Sequence, residues 1–312
     1  MKYLITIIGP TAIGKTALSI QLANYFQCDI VSCDSRQFFK EMAIGTAVPN
    51  EKELAAATHH FIQNKSIFEN YTVGDYEKEA IATIEKLFKS NDYVVFVGGS
   101  GLYVNAVLKG FDEFPEIDSS IRTSVNEKYE KLGIGYLQEQ LKTLDPKYHE
   151  TITAENPQTL LNPQRMMRFV EVCIGTGKPY SSFLNQKKNN RSFNPILIGL
   201  EAERSLMYNR INQRVDIMMN EGLLEEAKNL YTHKDLNALQ TVGYRELFQY
   251  FDKEIKLDFA IEEIKKNTRR FAKRQLTWFK RDENTKWFDF QTPTHKIIDY
   301  IKSKIENNKK LQ

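Results

Sequence analysis

The chain has 312 residues, and its 43 Lys and Arg against 40 Asp and Glu leave a net charge of only +3. At that balance bulk charge says little about partners, and any nucleic-acid signal must be local. Its length allows one large domain or two modest ones with ample core. Cys28, Cys33 and Cys173 lie in no metal-ligand spacing, and their odd number fits a reducing compartment. No apolar stretch approaches the roughly 18 residues of a membrane span. The apolar run after Lys2 is too short for a signal peptide and flows into a glycine-rich turn, so a cytoplasmic protein is expected.

In chain order, residues 2–8 read as a buried parallel strand and residues 17–23 as a helix. Between them Gly9-Pro10-Thr11-Ala12-Ile13-Gly14-Lys15-Thr16 fits G-x-x-x-x-G-K-[ST], the phosphate-binding P-loop. Backbone N–H groups and a helix N-terminus favour an anion there. Lys15 adds a point charge, and the Thr16 hydroxyl can ligate Mg²⁺. A second strand over 29–32 ends at Cys33-Asp34-Ser35-Arg36-Gln37. A carboxylate at a strand's C-terminal end sits on the rim where open α/β sheets bind ligands. Asp34 has two readings, a ligand-facing carboxylate or an N-cap of the next segment. Cys33 reads as packing.

A helix over 72–90 buries Ala80, Ile81, Ile84, Leu87 and Phe88, and a third strand over 93–97 ends in Gly98-Gly99-Ser100-Gly101-Leu102-Tyr103. Nucleotide hydrolases often place a Walker B acid at such a strand end. Glycines stand there instead, which argues against routine ATP hydrolysis and permits close backbone approach.

Residues 111–115 read as a boundary. The stretch 116–192 is helical and polar, an insertion into a core formed by 1–115 and 193–312. Asn162-Pro163 supplies the N-cap and first position of one of its helices. Phe169, Val172, Cys173 and Thr176 share its inner face, and Gln164, Arg165 and Arg168 come early in it, the two arginines three apart and so neighbours on its surface. Residues 187–191 read as a polar hinge, and 195–200 as a return to strand. A helix over 203–220 carries Met207, Ile211, Val215 and Met218 as its apolar stripe. Arg210 and Arg214 lie on its flank, by pattern alone a solvated pair. Another helix follows over 223–231, then a loop, Gln240 to Glu246, entering a short helix.

The helix over 258–280 is the most charged. Lys265, Arg269 and Lys273 form one stripe, and Lys266, Arg270 and Arg274 the next, with no acid from Lys265 to Arg281. Ile261, Ile264, Thr268, Phe271, Gln275 and Trp278 are expected on the opposite, covered side. The basic face is either solvated or laid against a phosphate backbone. A short strand at Trp287-Phe288 and an amphipathic helix over 294–308 end the chain.

Eight motifs occur in a telling order: the P-loop, Asp34-Ser35-Arg36-Gln37, Gly45-Thr46-Ala47-Val48-Pro49, Gly98 to Tyr103, Asn162-Pro163-Gln164-Arg165 with Arg168, Arg210-Ile211 with Arg214-Val215-Asp216, Val242 to Glu246, and Lys273 to Phe279. The series resembles the bacterial tRNA dimethylallyltransferases, also called tRNA isopentenyltransferases, over nearly the whole chain. Ile13 stands where that family usually has a small residue, and Ser100 where it has a threonine.

The resemblance implies an α/β, P-loop NTPase-like parallel sheet with a helical insertion that clasps an anticodon stem-loop. It implies dimethylallyl transfer from dimethylallyl diphosphate to the exocyclic amine of the adenine 3′ of the tRNA anticodon, by a monomer using Mg²⁺ on Thr16. Asp34 would be the general base, and Lys15, Arg214 and Thr11 would act at the diphosphate, held by Gly9 to Thr16. The target base would be extruded into the site. Asp34, Ser35, Arg36, Gln37, Ser100, Arg122, Gln164, Arg165, Arg168, Gly243, Tyr244, Arg245, Lys273, Arg274 and Lys280 match the family's tRNA-contacting positions. Transfer to a free adenine nucleotide, a small-molecule kinase and a non-catalytic RNA-binding protein are the competing expectations.

Overall fold

The computed structural model describes residues 1–112, 114–184 and 191–310; residues 187–190 of the expected hinge lie outside the described residues. Two compact units are present, Met1–Gly110 with Arg191–Gln312, and Phe111–Asn190.

The first unit begins β1 (Tyr3–Ile8), α1 (Lys15–Phe26), β2 (Ile30–Ser32), α2 (Glu51–Ala56), β3 (His59–His60), α3 (Val73–Leu87), β4 (Tyr93–Gly98) and α4 (Gly101–Lys109). The second unit contributes α5 (Ser119–Leu132), α6 (Ile134–Leu144), α7 (Pro146–Glu155) and α8 (Pro163–Thr176). The chain then returns to the first unit with β5 (Asn194–Glu201), α9 (Arg204–Asn220), α10 (Leu223–Leu230), α11 (Tyr244–Phe251), α12 (Leu257–Phe279), β6 (Lys286–Asp289) and α13 (Thr294–Lys310).

The six strands form one parallel sheet in the order β3-β2-β4-β1-β5-β6. Every residue of β1 is buried, which explains its unbroken apolar run. Successive side chains go to opposite faces. Tyr3, Ile5 and Ile7 pack with Leu18 and Leu22 of α1 and Ile297, Ile301 and Ile305 of α13. Leu4 and Ile8 pack with Tyr76, Ala80 and Ile84 of α3 and Val104 and Val107 of α4. A separate core joins Val215, Leu223, Leu230, Tyr244, Leu247, Phe248, Ala260 and Ile264, binding α9 to α12 together. Ile8 lies level with Gly98 on one side and Gly199 on the other, and Ser32 with Val97. The segments leaving β1, β2 and β4 therefore emerge along one sheet edge, where this topology places ligands.

Sequence pattern did not mark α2, β3 or α4. The first two are too short to show a period, and α4 begins inside the glycine-rich turn. The covered face of α12 also differs from expectation. Ala260, Ile264, Ala272, Gln275 and Phe279 are buried, whereas Phe271 is 38% exposed.

Within the second unit no strand occurs among the described residues. Its core is Val125, Leu137, Leu141, Ile152, Met166, Phe169 and Val170. Asn162 caps α8 by accepting from the Arg165 N–H, with Pro163 next in line. Among the described residues no helix is long and apolar enough to cross a membrane.

Candidate active site

The phosphate loop is shaped by backbone conformations that favour glycine. Gly9 has φ +150°, and a Cβ there would lie 2.7 Å from the Leu200 carbonyl oxygen of β5. No side chain caps α1 at Gly14, so the helix N-terminus is left to an anion. Lys15 Nζ donates to the carbonyls of Gly9 (3.1 Å) and Pro10 (2.8 Å), which holds the ammonium over the loop. Burial pushes the Lys15 ammonium down to about 8; the Arg214 guanidinium acts in the same direction and the Asp34 carboxylate opposes it. Burial also lowers Arg214, again opposed by Asp34. Arg214 is thus part of the site, contrary to the solvated pair its spacing suggested. Its neighbour Arg210 donates from Nε to the Ala12 carbonyl at 2.9 Å and steadies the loop.

Asp34 heads a turn, and no helix follows for it to cap. Oδ1 accepts from the Arg36 N–H at 3.1 Å, closing a local turn, while the carboxylate's charge acts on Lys15 and Arg214. Cys33 beside it is fully buried, and burial pushes its thiol well above the ordinary value, as suits packing.

Two cavities meet at this point. One, of about 810 Å³, is lined by Ala12 to Thr16 of the loop and by Ile44, Val48, Leu54 and Ile62 beside the polar Asn50, Glu53 and His59. The other, of about 540 Å³, is lined by Ser35, Arg36, Ser100, Tyr103, Gly243, Arg245, Phe271, Arg274 and Trp278. Thr11, Asp34, Thr46, Ala47, Arg214 and Met218 line both. A phosphate cradle and a cleft edged with arginines and aromatic rings therefore share one wall, and the carboxylate and a guanidinium stand in it.

Other expected residues fall as follows. Ser100 Oγ accepts from the Ser35 N–H at 3.2 Å and shares a 3.1 Å hydrogen bond with Ser35 Oγ. Arg36 donates to the carbonyls of Asn237 (3.0 Å) and Ala238 (2.9 Å), so much of its hydrogen-bonding capacity already serves the fold. Gln37 donates to Thr46 and Ala47 and lines the phosphate-side cavity. Tyr244 departs from expectation. Its side chain is wholly buried, its hydroxyl donates to Glu226 at 2.6 Å, and it lines neither cavity.

The basic face of α12 is also divided. Lys265 pairs with Asp216 and Glu262, and Lys266 with Glu263, acids that lie outside the acid-free window of the sequence. Lys273 and Arg274 are exposed, and Arg274 stacks over Phe271 at 5.7 Å. Lys280 pairs with Glu201 at 2.8 Å. In the insertion unit, Arg122 and Arg168 both bind Glu171, at 2.8 and 2.9 Å. Gln164, Arg165 and Arg168 line a cleft of about 590 Å³ with Tyr148 and Tyr180.

Two residues escaped sequence reasoning. Gln275, assigned only to a covered face, accepts from the Thr11 N–H at 2.9 Å, so this loop amide is not free for an anion. Glu226 accepts from the N–H groups of Ala43, Ile44 and Gly45 at 2.8–2.9 Å and from the Tyr244 hydroxyl. It fixes the segment leading into the shared wall at Thr46 and Ala47. An acid in a helix of ordinary composition gave no signal of this.

Comparison with known proteins identifies the family. The IPP transferase family model matches residues 37–282. The chain is 75% identical over 309 residues to the tRNA dimethylallyltransferase of Flavobacterium johnsoniae, covering 99% of each. It resembles the solved full-length tRNA isopentenylpyrophosphate transferase of Bacillus halodurans at 35% identity and TM-score 0.74, over 100% of this chain and 99% of that one. It also resembles a solved eukaryotic dimethylallyltransferase acting on tRNA, at 25% identity and TM-score 0.81, over 98% of this chain and 80% of that one. With the phosphate loop, the rim carboxylate and the two adjoining cavities in place, the chain belongs to the IPP transferase family.

Proposed function

We propose that this protein transfers a dimethylallyl group from dimethylallyl diphosphate to the N6 amine of the adenosine 3′ of the anticodon in tRNA, releasing diphosphate. The observation that carries the reading is the shared wall: Asp34 and Arg214 line both the phosphate-side cavity and the arginine-edged cleft. Donor and acceptor can therefore meet at one carboxylate.

In the reaction, the bond from the donor's C1 to the diphosphate oxygen breaks, and a bond from C1 to the adenine N6 forms. An exocyclic amine is a poor nucleophile because its lone pair is delocalised into the ring. Asp34 accepts the N6 proton as that bond forms. Negative charge collects on the departing diphosphate, where Lys15, Arg214 and the free N–H groups at the head of α1 stabilise it. Ile44, Val48, Leu54 and Ile62 in the cavity lining offer apolar surface to the hydrocarbon tail. The target base must leave its stack to reach the wall, and the cleft with Phe271 and Trp278 offers it an aromatic surface.

The donor set also suits Mg²⁺. No group of three His, Cys, Asp or Glu able to hold a metal occurs among the described residues. Mg²⁺ needs no such cage, since it binds through few protein oxygens and takes other ligands from substrate phosphates and water. Thr16, at the head of α1, would supply a hydroxyl. When bound, the ion would neutralise part of the leaving diphosphate's charge. A monomer acting in the cytoplasm completes the reading.

The test is mass spectrometry of tRNA nucleosides after incubation with pure protein, dimethylallyl diphosphate and Mg²⁺. Prenylated adenosine beside the anticodon is the expected product. Faster turnover of AMP than of unmodified tRNA would overturn the acceptor assignment.

A further inference from the structure

We infer that Gln275 is a positioning residue that holds the phosphate loop and the Gly99–Ser100 turn in register from the helix bearing Lys273 and Arg274. The inference rests on the function proposed above.

Gln275 is 6% exposed, on the buried face of α12. A side-chain amide in such a place needs partners for both of its ends. Oε1 accepts from the Thr11 N–H at 2.9 Å, and Nε2 donates to the Gly99 carbonyl at 2.9 Å. Thr11 is the third residue of the phosphate loop after β1, and Gly99 follows β4. One amide thus bridges the segments leaving two adjacent strands. The missing side chain at Gly99 is what admits it, since a Cβ there would lie 2.3 Å from Gln275 Nε2.

The bridge has a direct consequence for the site. Thr11 turns its N–H toward Gln275, which fixes the peptide plane at the start of the loop. The N–H groups at the head of α1 are then left for the anion. Gly99 carries Ser100, whose hydroxyl holds Ser35 beside Asp34. The next residue back on α12, Arg274, lines the acceptor cleft. Phosphate loop, rim carboxylate and acceptor cleft are therefore referenced to one helix turn.

Gln275→Met keeps the length and removes both hydrogen bonds. Gln275→Glu keeps the acceptor but sets a carboxylate against the Gly99 carbonyl. When that carboxyl is protonated, its O–H can donate to Gly99 while its carbonyl oxygen accepts from Thr11. Burial and the facing carbonyl raise its pKa against the pull of Arg214 and Arg274, which line the same cleft, and the repaired form gains as pH falls.

Binding of inorganic diphosphate and of an anticodon stem-loop RNA is measured by calorimetry with the full chain. For Gln275→Met, diphosphate binding should weaken at least tenfold, while RNA binding changes less than threefold. For Gln275→Glu, diphosphate affinity relative to wild type should rise at least threefold from pH 8 to pH 6. Diphosphate affinity of Gln275→Met within twofold of wild type overturns the assignment. A flat ratio for Gln275→Glu does the same, and decides the matter if Gln275→Met does not fold. Wild-type protein that binds diphosphate but transfers no prenyl group counts against the proposed function alone.

Discussion

Replacing Glu226 by Gln should loosen the wall between the two cavities. The Glu226 carboxylate takes four hydrogen bonds: Oε2 accepts from Ala43 (2.9 Å) and Ile44 (2.8 Å), and Oε1 from Gly45 (2.9 Å) and the Tyr244 hydroxyl (2.6 Å). An amide keeps one acceptor oxygen. With that oxygen in the Oε2 position, the new NH₂ points at the Gly45 N–H, and the Tyr244 hydroxyl must turn to accept from it. At least one charge-assisted bond is lost, worth about 1.5–3 kcal/mol, and the others weaken as the charge disappears. Some of this is recovered where water reaches Glu226, which is only half-buried. A net cost of about 2–3 kcal/mol is expected, on the same scale. The two compact units need not unfold together, so a local measurement is preferable to a melting curve. Native-state hydrogen exchange at Ala43, Ile44 and Gly45 should accelerate by roughly 30- to 150-fold, the equivalent of that cost. Tyr244→Phe removes one of the four bonds and should give a smaller acceleration at the same amides. If Glu226→Gln leaves their exchange within threefold of wild type, the carboxylate does not hold this segment and the reasoning fails.

Other consequences follow from the site. Asp34→Asn should lower the rate of prenyl transfer by at least about 10², the lower range for loss of a general base, with anticodon stem-loop affinity nearly unchanged; a single-turnover assay reads both. Lys15 is pushed down to about 8, so it is charged below that pH and neutral above it. Bound phosphate favours the charged form, so diphosphate affinity should fall as pH rises through 8, by up to about tenfold per unit for one coupled proton. A constant affinity from pH 7 to pH 9.5 would sink that assignment. The ion-pairing along α12 makes a contrast between its lysines. Lys273→Gln should reduce the slope of log K against log salt for RNA binding by about 0.7–0.9, whereas Lys265→Gln, already paired with Asp216 and Glu262, should leave it unchanged. Equal effects of the two would contradict the division of that face.

By itself the sequence determined the features written in local order. The phosphate loop between a strand and a helix, the carboxylate after β2, the glycines in place of an acid after β4, and the helical character of the stretch before β5 are all legible as period, cap or spacing. The series of motifs added the chemistry that the residues alone left open among prenyl transfer, phosphate transfer and simple RNA binding. What depends on partners far along the chain was decided only by tertiary structure. Thr11 and Gln275 are 264 positions apart, and Gly45 and Glu226 are 181 apart; no local pattern encodes such pairs. The same reason governs the departures from expectation. Tyr244 went inside because Glu226 met its hydroxyl there. Lys265 was neutralised by Asp216 from another helix, and Arg214 came to share a wall with Asp34 in both cavities. A helix's own periodicity says which residues share a face, but only packing decides what that face meets.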